Sequence, residues 1–184
     1  MRNKEATRLQ RKWIRAAVQA AGLTVAATLL VGFPSYAGSP WETAAVKMSL
    51  QNEMNAAVAD LEDNAQDIGE IFISTNAARG AAGLQPLALD GQMCLLACMR
   101  AEDLGISFSH IRPDGTEGMD LLSWTDQPAT NAWGENIAAG QEDGTAVVTA
   151  WLNSSGHRAN ILSPAYTRIG IGVSGGHYVQ LFSN

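Results

Sequence analysis

Three side chains in this sequence combine reactive types with turn-like surroundings. They are His110 in Ser109-His110-Ile111-Arg112-Pro113-Asp114-Gly115, Glu135 in Trp133-Gly134-Glu135-Asn136, and His157 in Ser155-Gly156-His157. An imidazole changes charge near neutral pH and ligates metals through one ring nitrogen. Two imidazoles and a carboxylate admit three readings. As ligands to Zn²⁺ or another divalent cation they leave one tetrahedral position open, as a catalytic or transient site does. Glu135 would then bind the ion itself or hold a histidine from behind. As a hydrolytic site, Glu135 would be the general base beside a metal-activated water, or Ser154 or Ser155 would be a nucleophile paired with His157. As plain structure, the three groups would tie their loops together, because buried His and Glu are costly unless paired. No H-E-x-x-H helix fixes two ligands together, and no G-x-S-x-G elbow presents a serine. Ser155 also has a simpler use, as the cap of a short helix from Gly156 to Leu162.

The elements that must position these groups read as helices first and strands last. From Thr43 the chain is rich in helix formers, and Val46, Leu50, Met54, Val58, Leu61, Ala65, Ile68 and Phe72 step by threes and fours along one face. Gly69 is the expected break in that run. The next helix ends near Gly83, which suits a left-handed cap, and Pro86 forbids its continuation. Asp90 caps a helix carrying Met93, Ala97, Arg100, Ala101 and Leu104, closed by Gly105. Pro113-Asp114-Gly115 is a turn, and residues 116–130 read as loop with a short helix near Met119 to Leu122. Thr145 to Asn153 forms a helix with Val147, Val148, Trp151 and Leu152 facing inward. At the end, Ile169, Ile171 and Val173 alternate with glycines, Gly175-Gly176 turns, and Tyr178 to Phe182 returns as a hairpin. This order is an α+β pattern. Gly170 to Gly175 spells G-x-G-x-x-G, but it lies in the hairpin with no helix after it, so no nucleotide site is expected. Asn136 and Asn160 are expected to satisfy backbone groups rather than to touch ligand.

Composition sets the compartment. The chain has 184 residues and a formal net charge of −6, unevenly spread. Residues 1–37 hold six of the twelve Lys and Arg but one of the eighteen Asp and Glu, so six bases face seventeen acids in the rest. Nucleic acid and anionic lipid are therefore poor partners. Arg2, Lys4, Arg8, Arg11, Lys12 and Arg15 precede the apolar run Ala16–Phe33, and Ser35-Tyr36-Ala37 offers small residues for cleavage before Gly38. That is the pattern of a secretory signal, with contact to the membrane through this segment alone if it stays uncleaved. The expected division is a signal peptide at 1–37, a helical extension at 38–66 and one domain at 67–184. Cys94 and Cys98 sit one helical turn apart, too far for a relaxed disulfide, and read as small packed thiols.

Six pieces in order then carry a resemblance. They are Asn76-x-x-Arg79-x-x-x-Gly83-Leu84-x-Pro86-Leu87, Ala97-x-x-Arg100-Ala101-x-Asp103-Leu104, Ser109-His110-x-x-Pro113-Asp114-Gly115, Gly134-Glu135-Asn136-Ile137-Ala138, Trp151-x-x-Ser154-x-Gly156-His157-Arg158-x-Asn160-Ile161-Leu162 and Tyr178-Val179-Gln180-x-Phe182. Together they resemble the CAP superfamily of cysteine-rich secretory, antigen-five and pathogenesis-related proteins, in its bacterial secreted branch. The resemblance implies a three-layer α-β-α sandwich around an antiparallel sheet, with a cleft lined by His110, Glu135 and His157. Many relatives carry a second acid three residues after the helix tryptophan. Here that position is Ser154, and the relatives' disulfides are also absent. The function implied is extracellular binding of a small-molecule, lipid or cell-surface ligand at the cleft. A hydrolase and an interaction protein working through the acidic helix at 43–68 stand as alternatives.

Overall fold

The computed structural model describes residues 40–125 and 131–184. The expected signal peptide at 1–37, and the part of the expected loop at 126–130, lie outside the described residues. Helix α1 (Pro40–Asp63) is followed by α2 (Ala65–Ala81), the short strand β1 (Ala88–Leu89) and α3 (Gly91–Ile106). A 3₁₀ helix (Gly118–Trp124), strand β2 (Trp133–Ala139), α4 (Gly144–Asn153) and α5 (Ser155–Ile161) come next, and β3 (Arg168–Ser174) and β4 (His177–Ser183) end the chain.

Local chemistry accounts for most of these boundaries. Asp90 and Asp143 each accept the N–H three residues on, from Met93 and Ala146, satisfying helix donors that would otherwise be unpaired. Gly83 takes φ +74°, the left-handed conformation expected just past a helix end. Gly175 and Gly176 are both left-handed, at φ +54° and +76°, which suits a two-residue hairpin turn. In one place the sequence misleads. The break between α1 and α2 falls at Asn64, and Gly69 lies buried inside α2. Asn64 explains it: its amide donates to the carbonyls of Asp60 (2.9 Å) and of Val173 on β3 (3.1 Å), so the side chain competes with the helix and pins the bend to the sheet.

The four strands lie in the order β1-β3-β4-β2, antiparallel except for the parallel two-residue pairing of β1 with β3. One face is covered by α3, with α1 outside it; the other is covered by α2, α4 and α5. This is the three-layer α-β-α sandwich. On β3 the face alternates: Ile169, Ile171 and Val173 are fully buried, while a Cβ at Gly170 or Gly172 would collide with the backbone of Met93 or Ala97. The glycines of the G-x-G-x-x-G string therefore let α3 lie directly on the sheet. Cys94 and Cys98 are free thiols buried in that contact, and burial pushes Cys94 up to about 12, which makes it inert rather than reactive. The predicted stripe is seen in its C-terminal half, where Leu61, Ala65 and Ile68 are buried and Val58 and Phe72 pack at the core's margin. Ala57 and Leu61 thus join α1 to the core of the domain; a fully buried leucine contributes roughly 1.5–3 kcal/mol.

Strand β2 is a larger departure. Gly134-Glu135-Asn136 reads as a turn, yet it is the middle of an edge strand paired along its whole length with β4, with Glu135 opposite Leu181 and Asn136 opposite Gln180. Glu and Asn are poor strand formers. Their placement follows from polar partners on the two faces rather than from β propensity.

Candidate functional site

Successive residues of a strand point to opposite faces. Glu135 therefore projects towards α3, where Arg100 rises from the helix with its guanidinium fully buried. Arg100 Nε donates to Glu135 Oε1 at 2.8 Å, and Nη2 donates to the Ser109 carbonyl. The other carboxylate oxygen meets His110 Nδ1 at 2.5 Å. Glu135 is 3% exposed and the His110 side chain 56% exposed, so an inner carboxylate holds an outer imidazole. The loop bearing His110 is a small hairpin. An Ile111–Glu117 bridge closes it, Gly115 turns it at φ +89°, and Asp114 accepts from the Thr116 N–H at 2.9 Å. The Thr116 hydroxyl, and then its N–H, donate to the exposed Asp114 carboxyl and hold it below its usual range.

Asn136 projects to the opposite face. Its amide donates to the His157 carbonyl (3.1 Å) and to Gln180 Oε1 (3.0 Å), and Gln180 donates to Thr75 on α2 (2.7 Å). Asn160 donates to the Glu135 carbonyl (3.0 Å) and to Asn136 Oδ1 (2.9 Å). Both asparagines thus satisfy backbone groups as expected, and they lock α5 against β2. His157 lies on α5 and is half-buried; burial first, and then the charge of nearby His110, hold its imidazole below the ordinary value. Only His110 sits in a loop, whereas Glu135 is on a strand and His157 on a helix.

An open groove of about 340 Å³ runs past this cluster, lined by His110, Glu117, Met119, Trp133, Glu135 and Asn160 among others; His157 does not line it. Trp133 keeps half its surface exposed at the groove although its carbonyl is fixed by Tyr166 Oη at 2.8 Å. Ser154 is the hinge between α4 and α5, and its backbone oxygen accepts from Arg158. The cap of the short helix is therefore one residue earlier than Ser155, and neither hydroxyl supplies a capping bond. Among the described residues no hydrogen bond joins Ser154 or Ser155 to the His157 ring. His177 is half-buried beside Phe108 at the hairpin turn, with ring centroids 6.4 Å apart.

The donor set bears on a metal. Both oxygens of Glu135 are engaged, by Arg100 and by His110, so the carboxylate stands behind the histidine, as an orienting group does. Among the described residues no group of three or more His, Cys, Asp or Glu side chains is disposed to hold a metal ion. The nitrogens left for a cation are His110 Nε2 and the His157 ring.

Sequence reasoning did not single out Arg100 as a site residue. Its signal was present: an arginine on the apolar face of a helix, between Met99 and Ala101, must find a buried anion. Gln180 and Thr75 gave no comparable signal, because an alternating strand and a helix both carry such residues at their surfaces.

A sandwich of this topology with a His-Glu pair at one edge of its sheet defines a class of protein. The chain belongs to the CAP family, the cysteine-rich secretory protein family, whose sequence model matches residues 73–182. The uncharacterised protein YkwD of Bacillus subtilis is 39% identical over 112 residues, covering 59% of this chain and 43% of that protein. The membrane protein YlbC of the same organism is 36% identical over 115 residues, covering 61% and 33%. The chain thus spans less than half the length of either relative. Among solved structures, an extracellular SCP-domain protein of Bacillus anthracis matches with a TM-score of 0.63 at 34% identity, over 68% of this chain and 42% of that one. An outer surface protein of Borrelia burgdorferi shares the fold with a TM-score of 0.52 at 24% identity, over 64% and 92%. Among the described residues no helix is long and apolar enough to cross a membrane.

Proposed function

We propose that this is an exported CAP-domain protein that binds a ligand in the groove beside His110. The observation that carries this reading is the buried Arg100–Glu135 ion pair ending on an exposed imidazole. Burying an ion pair costs desolvation energy that a well-packed apolar pair would avoid. A chain that retains one, and uses it to hold a half-exposed histidine at the lip of a groove, invests stability in presenting that histidine. Export is supported by the basic and apolar segment before Gly38 and by relatives described as extracellular or outer-surface proteins.

The groove is open and mixed in character, which suits an extended small-molecule, lipid or cell-surface ligand better than a fully enclosed one. A second reading adds a divalent metal held by His110 and His157. The proximity of the two imidazoles and the carboxylate behind one of them favour it. A bound Zn²⁺ would supply Lewis acidity; the chain's own residues would supply two neutral nitrogens and fix the first of them.

Calorimetric titration with Zn²⁺ tests the metal reading: binding is expected, and His110→Ala and His157→Ala are each expected to abolish it. Binding that survives in both variants overturns this site. For the groove itself, His110→Ala and Trp133→Ala are expected to weaken capture of surface extracts from the producing cell. Equal capture by both variants would remove the groove from the function.

A further inference from the structure

The Arg100 guanidinium closes a ring of contacts at the cleft, and from it we propose that Arg100 is a positioning residue that determines which nitrogen of His110 meets the ligand. Its Nε holds Glu135 Oε1 at 2.8 Å, and its Nη2 holds the carbonyl of Ser109, the residue just before His110. Glu135 Oε2 returns to His110 Nδ1 at 2.5 Å. One cation thus grips both the carboxylate and the main chain of the loop that bears the histidine. Gly118 seals the arrangement. Its N–H donates to the His110 carbonyl at 2.8 Å, and a Cβ there would overlap Glu135 Oε1 and Arg100 Nε.

The chemical consequence is a single tautomer. An ionised carboxylate accepts hydrogen bonds and cannot donate them, so Nδ1 of neutral His110 carries the proton and Nε2 carries the lone pair. Arg100 is needed because Glu135 is only 3% exposed. Arg100 supplies that buried carboxylate with its counter-ion and fixes Oε2 towards Nδ1, so the ring is held in one orientation. A guanidinium suits the task because its planar fork reaches two acceptors at fixed angles, where an ammonium is a point charge. With neutral His110, the groove then offers an electron-pair donor. It selects groups that accept a lone pair, namely hydroxyls, amide N–H groups or a divalent cation, over carbonyls and carboxylates. This selection rests on the groove being a binding site; the tautomer does not.

The test is the long-range ¹H–¹⁵N spectrum of the metal-free, ¹⁵N-labelled chain at a pH where His110 is neutral. A protonated Nδ1 and a pyridine-type Nε2 are expected in the wild type. Arg100→Lys is expected to mix the two tautomers, and to weaken Zn²⁺ binding about 10–100-fold by calorimetry. A wild-type ring protonated on Nε2 overturns the proposal. So does an Arg100→Lys protein with an unchanged tautomer, since the planar fork would then be dispensable. If the lysine variant fails to fold, Gly118→Ala displaces the same ion pair without removing a charge and is expected to mix the tautomers; an unchanged ring there also overturns it. Absent Zn²⁺ binding alongside the expected tautomer would remove the metal reading and leave the role of Arg100 standing.

Discussion

Glu135 and Asn136 are neighbours on one strand, both buried, yet they anchor two polar clusters of different kinds. Towards α3, Glu135 joins Arg100 and His110 in an ionic chain that ends in solvent. Towards α2 and α5, Asn136 joins Gln180, Thr75 and Asn160 in a neutral network that also caps the His157 carbonyl. The neutral network is closed and binds the sheet to two helices, α2 and α5, of the layer on that face. The ionic chain is open and carries its polarity to the groove. Their difference separates side chains whose polar groups are all satisfied within the fold from a chain of charges that ends on an exposed imidazole.

The sharpest way to break that contrast is to remove Arg100. Arg100→Met leaves Glu135 buried beside a thioether, and breaking a buried pair from one side costs about 3–5 kcal/mol. Urea unfolding should show that loss, and Arg100→Met combined with Glu135→Leu should recover much of it. Failure of the double variant to recover would mean that the bond to the Ser109 carbonyl, not the ion pair, dominates.

The neutral network predicts a smaller effect with the opposite functional sign. Gln180→Leu strands one of the two amide N–H donors of Asn136 and leaves the Thr75 hydroxyl oxygen without its donor, at roughly 1–3 kcal/mol for buried groups left without partners. Zn²⁺ affinity and the His110 tautomer should stay as in the wild type. A change in either would show that the two clusters communicate across β2. His110→Ala completes the comparison: the side chain is largely exposed, so a stability change of about 1 kcal/mol or less is expected together with lost binding at the groove. A loss as large as that of Arg100→Met would class His110 with the structural residues.

The same contrast explains what the sequence revealed. The terminal hairpin, the helices from Ala65 onward, the caps at Gly83 and Asp90 and the turn at Gly115 were legible, because each rests on local chemistry within a few residues. The three candidate site residues, His110, Glu135 and His157, stood out by type. What stayed hidden depends on partners distant in the chain. Strand β2 is a strand because Arg100 lies 35 residues before Glu135 and Gln180 lies 44 after Asn136. Asn64 rather than Gly69 bends the first helices because a carbonyl 109 residues away accepts from its amide. The sandwich itself came from resemblance, since two strands carry no periodic signal of their own: β1 is two residues long and β2 is polar at its centre.

The smallest expected effect concerns the residue that touches both clusters. The His157 carbonyl belongs to the neutral network, while its imidazole feels His110. Burial first, and His110 second, hold that imidazole below its ordinary value of 6.5. Between the lowered value and 6.5 the unfolded chain binds more protons than the folded one, so this group makes stability rise with pH, and the contribution is lost as pH falls through that window. Asp67 and Glu102 act in the other direction, since burial raises both and favours the folded state as pH falls. The wild-type pH profile alone therefore mixes the two signs. The informative measurement is the difference between wild type and His157→Gln in urea midpoint at about pH 7.5 and about pH 5. The glutamine variant should lose less stability on acidification. His110→Ala should shift the profile the same way by a smaller amount, because the neighbouring charge is the lesser cause. If His110→Ala has the larger effect, the two imidazoles are coupled more tightly than burial allows, and His157 belongs with the open cluster.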